Sequence, residues 1–101
     1  MPKGYWIARA DVHDPAPYAA YVEANAPAFR KFGGRFLVRG GTFSVAEGGA
    51  RQRNVVVEFP SYQAALDCWN STEYQAAREH RLQAADFDVV IVEGYDGPQP
   101  A

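Results

Sequence analysis

Residues 54–77, NVVVEFPSYQAALDCWNSTEYQAA, set a strand, a stop, a helix and a second helix start end to end, which narrows the folds open to this chain. Val55, Val56, Val57 and Phe59 are β-branched or aromatic, the side chains that suit a pleated, half-buried surface. Pro60 ends the strand, because proline has no N–H to give to a ladder. Ser61 offers its hydroxyl to the free amides of a helix, after which Ala65, Leu66 and Trp69 fall at helical spacing. Ser71 repeats the cap, with Glu73 in the first turn, where the helix dipole favours negative charge.

The rest of the chain takes its place around that run. A first strand is expected over 4–12, with Trp6, Ala8, Ala10 and Val12 on an apolar face and Tyr5, Ile7, Arg9 and Asp11 on a mixed one. Asp14-Pro15 then starts a helix, the carboxylate as N-cap and the proline at the first helical position. That helix should reach Phe32, with Tyr18, Tyr21, Val22, Asn25, Phe29 and Phe32 near one stripe and a kink at Pro27. Gly33-Gly34 supplies the backbone freedom of a C-cap. A second strand begins at Arg35, with Phe36 and Val38 on one side and Leu37 and Arg39 on the other. Gly40-Gly41 predicts a bulge or bend, after which the strand resumes over 42–46 and turns through 47–51 into the third strand, 53–59. The second helical layer spans 61–85, broken near Asn70-Ser71, and a last strand runs over 87–93. The domain is thus 1–94, followed by a tail, 95–101, with two prolines and a glycine.

This β-α-β-β-α-β order predicts an α+β sandwich of ferredoxin-like type, with a four-stranded antiparallel sheet and helices on one face. The opposite face should then carry Ile7, Leu37, Val56, Val89 and Ile91 among Arg9, Arg39, Glu58 and Glu93. Such a face is too apolar for water and too charged for a simple core, so a second copy stacked sheet to sheet is the expected solution, giving a homodimer. Scattered apolar groups on a solvated face are the plainer alternative.

A chain of 101 residues with 48% hydrophobic residues supports one domain with one core. Its net charge of −2 offers no basic footprint for nucleic acid or an anionic membrane. No apolar run is long enough for a membrane span or a signal segment, so a cytoplasmic protein is expected. The single Cys68 excludes an internal disulfide and reads as a small buried hydrophobe.

GYWIARADV, the following DP and Tyr-containing helix, GGRFLVRGG, and VVVEFPSYQAALDCWNSTEYQAAREHR together resemble the proteins grouped as domain of unknown function 1330, in the dimeric α/β-barrel superfamily. The resemblance covers nearly the whole domain. It implies a ferredoxin-like subunit and a barrel dimer of two sheets, and it implies no established activity. Relatives on the same superfold include cofactor-free monooxygenases, isomerases and haem-degrading enzymes, but fold alone does not carry function. Haem-degrading relatives combine Asn, Trp and His; Trp69 and His80 match two of these, and the first strand has no asparagine.

Several side chains are candidates for a site. Asn25 lies on the inward stripe of the first helix, where its amide would bind a ligand carbonyl or hydroxyl, or else satisfy the carbonyl that Pro27 leaves free. Arg81 shares a stripe with Tyr74, Ala77 and Ala84; its guanidinium would hold a carboxylate bidentately, or snorkel to an acidic partner. Arg39 would anchor an anion if a bulge re-aims it, or pair with Glu58 on the neighbouring strand. Trp6, Tyr21, Trp69 and Tyr74 would line an apolar cleft or simply fill the core. His13 and His80 are the candidate proton carriers, with solvated positions as the plainer reading. Neither has a second ligand at metal spacing, and no phosphate loop, dinucleotide fingerprint or nucleophile elbow occurs, so no metal or cofactor is implied. The function expected is the binding of a small apolar or aromatic acid between sheet and helices. A cofactor-independent isomerase or monooxygenase and a purely structural dimer are the alternatives.

Overall fold

Serine caps set both helix starts of the second half. In the computed structural model, which describes residues 2–100, Ser61 Oγ accepts from the Ala64 amide at 3.1 Å and Ser71 Oγ from the Tyr74 amide at 3.1 Å. The elements are β1 (Gly4–Val12), α1 (Pro15–Phe32), β2 (Arg35–Arg39), β3 (Arg53–Phe59), α2 (Tyr62–Trp69), α3 (Thr72–Glu79) and β4 (Ala85–Glu93). The strands form one antiparallel sheet in the order β2-β3-β1-β4. The α+β ferredoxin-like order is therefore as expected, with the second helical layer divided into two short helices. That layer ends earlier than its sequence pattern, because residues 80–84 form turns, and β4 starts at Ala85.

Asp14 occupies the N-cap of α1, yet its side chain makes no capping bond; Pro15 at the first position has no amide to satisfy. The helix runs through Pro27 without a break and closes on Gly33, whose φ of 76° is the left-handed cap conformation. Gly4 is needed for close packing, since a Cβ there would strike the Ser61 carbonyl and the Tyr62 backbone where the chain enters α2.

The core lies between helices and sheet. Trp6, on the central strand β1, meets Phe29 of α1 edge-on at 5.2 Å and Tyr74 of α3 at 4.7 Å, while its indole N–H donates to the Ala65 carbonyl at 2.9 Å. Val57, Phe59, Ala65, Cys68 and Ala77 are among the other buried members. Burial pushes the Cys68 thiol up to about 12, so the thiolate needed for reaction is scarce. Ellman's reagent is expected to leave Cys68 unmodified in the native protein and to label it fully in denaturant. Prompt labelling of the native protein would contradict this packing.

Three expectations for the sheet are corrected. The bulge falls at Leu37, where Phe36 pairs with Val57 and Val38 with the adjacent Val56, and Gly40 makes a bend instead. Strand β2 does not resume over 42–46, because Gly40 turns away at φ 68° and the residues that follow lie exposed with no strand to pair with. Their loop is held by ions instead of a ladder. Arg51 donates to Asp88 at 2.6 Å and to Asp11 at 2.9 Å.

The third correction concerns faces. Val89 and Ile91 pair with Ala8 and Trp6, so they lie under the helices, and Val90 and Val92 occupy the open face with Ile7, Leu37, Val38 and Val56. Both rows of β4 are β-branched, so alternation alone does not choose between them. The bulge likewise carries Arg39 to the helix side, in line with Val55. Glu58 pairs with Arg35 at 3.7 Å and accepts from the Tyr5 hydroxyl at 3.0 Å, and so takes no part with Arg39.

Candidate functional site

The inward stripe of α1 and the helix-side rows of the sheet do not close completely. Between them is a cleft walled by Trp6, Ala8, Tyr18, Tyr21, Val22, Phe29, Phe36, Val55, Val57 and Phe87, with Asn25, Arg39 and Arg53 as its polar members other than the tyrosine hydroxyls. It is narrow, with a cavity volume of about 30 Å³. A water fits such a space; an aromatic ring needs a mouth residue to move, as side chains commonly do on binding. Arg39 is the residue placed to do so, being exposed and laid over the Phe36 ring at 4.0 Å.

Asn25 is 5% exposed and its amide makes no hydrogen bond to any described residue. It therefore does not satisfy the carbonyl left free by Pro27. An amide at the wall of an apolar cleft is free to pair with a ligand that brings a carbonyl or hydroxyl. Arg53 lies on the same face of β3 as Val55, with its guanidinium 5.8 Å from the Tyr18 ring centre and its Nε buried without a partner. Burial pushes the Tyr18 phenol up, and the Arg53 charge draws it partly back. The lining holds no carboxylate and no histidine. Two guanidinium groups with no lining acid beside them give the cleft a positive mouth over apolar walls.

Of the residues expected at a site, Trp6, Tyr21, Asn25 and Arg39 come together in this cleft. Tyr74, Arg81 and Trp69 stand behind its wall. The Tyr74 hydroxyl is 2.8 Å from that of Tyr21 and accepts from Arg81 Nη2 at 3.2 Å; the Arg81 guanidinium covers the Phe87 ring at 3.8 Å. Trp69 packs against Trp6 at 5.7 Å and Tyr74 at 5.2 Å. The two histidines lie elsewhere. His13 is exposed, 4.0 Å from Asp86, and His80 borders a separate polar hollow with Asp14 and Glu79. Sequence reasoning missed Arg53 and Tyr18 as site residues. Arg53 stands in line with Val55 and Val57, and that alternation was the signal available for its face.

The profile of the family described as Domain of unknown function (DUF1330) matches residues 3–95. The chain belongs to the DUF1330 family. Among solved structures, this DUF1330 chain is similar to RPA0582, a protein of unknown function from Rhodopseudomonas palustris, at 21% identity and a TM-score of 0.71 over 95% of this chain and 85% of that one. It is also similar to SnoaB, a cofactor-independent oxygenase from Streptomyces nogalater, at 12% identity and a TM-score of 0.61, with 99% and 97% of the two chains covered. A dimeric protein of unknown function and ferredoxin-like fold from Bacteroides fragilis matches at 13% identity and a TM-score of 0.52, over 92% and 97% of the chains. No curated protein matches the DUF1330 sequence. At these identities the likeness is one of fold. No helix of the described DUF1330 chain is long and apolar enough to cross a membrane.

Proposed function

We propose that this protein binds a small apolar or aromatic acid in the cleft between α1 and the sheet, as one half of a homodimer whose open sheet faces stack. The observation that carries the binding reading is an apolar cleft lined by the Asn25 amide and two guanidinium groups, the Arg53 Nε buried without a partner, with no acid in its lining. The ligand's ring would lie among Trp6, Phe29, Phe36 and Val57, its carboxylate at Arg39 and Arg53. The dimer reading is supported by the apolar residues on the face away from the helices, and by the description of the Bacteroides fragilis neighbour as dimeric.

Titration calorimetry with a panel of substituted benzoates and medium-chain carboxylates tests the binding reading. Replacing Arg53 or Arg39 by methionine should weaken carboxylate binding by about 10- to 100-fold, the worth of one charge-assisted hydrogen bond, while the matching amides bind no better than to the variants. Asn25→Leu, which keeps the volume, should cost about tenfold. If no acid in the panel binds, or if the arginine variants bind as the parent does, the reading fails.

The oxygenase among the structural neighbours suggests the other expectation, a cofactor-independent isomerase or monooxygenase. Such an enzyme needs a group that takes a proton near neutral pH beside its substrate. His13 and His80 stand outside the cleft, and burial drives the Tyr21 phenol well above its usual range. A purely structural dimer would leave the buried, unpartnered Arg53 Nε in the cleft lining without purpose. Binding is the reading that accounts for the polar groups present.

A further inference from the structure

Arg81 is 5% exposed and has no carboxylate within ion-pair distance among the described residues, although a buried Arg ordinarily finds one. Its Nη2 donates to the Tyr74 hydroxyl, and Tyr74 is itself wholly buried. Guanidinium groups only donate, so the Tyr74 oxygen accepts from Arg81 and the Tyr74 hydrogen must go elsewhere. The one acceptor it meets among the described residues is the Tyr21 oxygen, 2.8 Å away. Were the bond reversed, a hydroxyl hydrogen would be stranded on Tyr74, away from water and from any ligand, at a cost of about 1–3 kcal/mol. The direction is thus set as Arg81 to Tyr74 to Tyr21. Counting protons, two hydroxyl hydrogens share a single acceptor between them, and the one left over belongs to Tyr21, the member of the chain that lines the cleft. The positive charge behind the relay polarises each O–H in turn.

From this geometry we infer that Tyr21 offers its hydroxyl hydrogen to the ligand, with Tyr74 and Arg81 as the positioning residues that orient it, so that the cleft selects acids bearing a second acceptor, such as a ketone oxygen, at the end remote from the carboxylate. This rests on the proposed acid-binding function and adds the substrate class: an oxo-substituted apolar or aromatic acid. Asn25, one helical turn from Tyr21 on the same stripe of α1, would donate its amide hydrogen to the same acceptor.

The matched probes are 4-acetylbenzoate and 4-ethylbenzoate, which share ring, length and carboxylate and differ in one oxygen. With the parent protein, calorimetry should give about tenfold tighter binding of the acetyl compound, the worth of one directed hydrogen bond. The infrared C=O stretch of the bound acetyl group should move to lower frequency. Tyr21→Phe should abolish both differences. Arg81→Met should reduce the carbonyl shift although residue 81 stands behind the wall, a spectroscopic effect that a role in packing alone would not produce. Circular dichroism in the aromatic region establishes that both variants are folded; if Arg81→Met is not, the parent and Tyr21→Phe decide. Equal affinity for the two probes, or a carbonyl stretch unmoved from its value in water, overturns the relay and leaves acid binding standing. Failure of both probes and of the wider benzoate panel to bind overturns both.

Discussion

Trp6→Ala is expected to remove about 3–5 kcal/mol of stability, the range for truncating a buried large aromatic, from a domain whose whole margin is about 5–15 kcal/mol. Trp6 stands on the central strand β1 and touches the aromatic side chains of every layer above it: Phe29 from α1, Trp69 from α2 and Tyr74 from α3, with Phe59 beside it on β3. No neighbour can close over the space, because these rings are held by one another, and the Ala65 carbonyl loses the indole donor as well. Chemical denaturation should show a lower midpoint, and the melting temperature should fall by roughly 15–30 °C. Trp6→Phe separates the two causes, since it keeps most of the ring volume and drops the indole hydrogen bond, a loss of about 1 kcal/mol. A melting temperature for Trp6→Ala within a few degrees of the parent would mean that this indole is not the centre of the core.

Val90→Asp is expected to turn a dimer into single subunits with no loss of subunit fold. Val90 is 58% exposed and lies opposite Ile7 in the β1–β4 register, near the middle of the face turned from the helices. In an isolated subunit a charge at so open a position changes stability by less than about 0.5 kcal/mol. Between two stacked sheets the same carboxylate meets apolar side chains and its own copy, and a buried charge without a partner costs several kcal/mol. Dissociation should therefore strengthen by more than about 100-fold, which sedimentation velocity at micromolar concentration reads directly. Thermal unfolding of the variant should then depend less on protein concentration than that of the parent. A parent protein that sediments as one subunit would remove the dimer from the proposal, and a Val90→Asp protein that stays dimeric would move the contact elsewhere.

Much of the fold was legible because its signals are local. Ser61 and Ser71 cap as their spacing indicates, Pro60 separates strand from helix, and Gly33 takes the left-handed conformation that ends α1. The site was legible in part. Asn25 and Tyr21 are on the inward stripe of α1 by helical periodicity alone, and both line the cleft. Arg39 was a candidate through a bulge that would re-aim it; the bulge exists, two residues before the arginine rather than after it, and that displacement is what turns its side chain to the helix side. Arg53 went unrecognised because an arginine at the start of a strand usually marks an exposed end, whereas here it is half-buried with the Tyr18 ring of α1 5.8 Å from its guanidinium.

Taken alone, the chain of residues determined which segments become strands and helices and in what order, since caps, stops and hydrophobic period act within a few residues of one another. The tertiary structure decided which row of β4 meets the helices, to which side Arg39 points, and that Tyr21, Tyr74 and Arg81 form one relay. The physical reason is that these depend on pairing between segments more than fifty residues apart for Tyr21 and Tyr74, and a one-residue change of register moves every side chain of a strand to the opposite face.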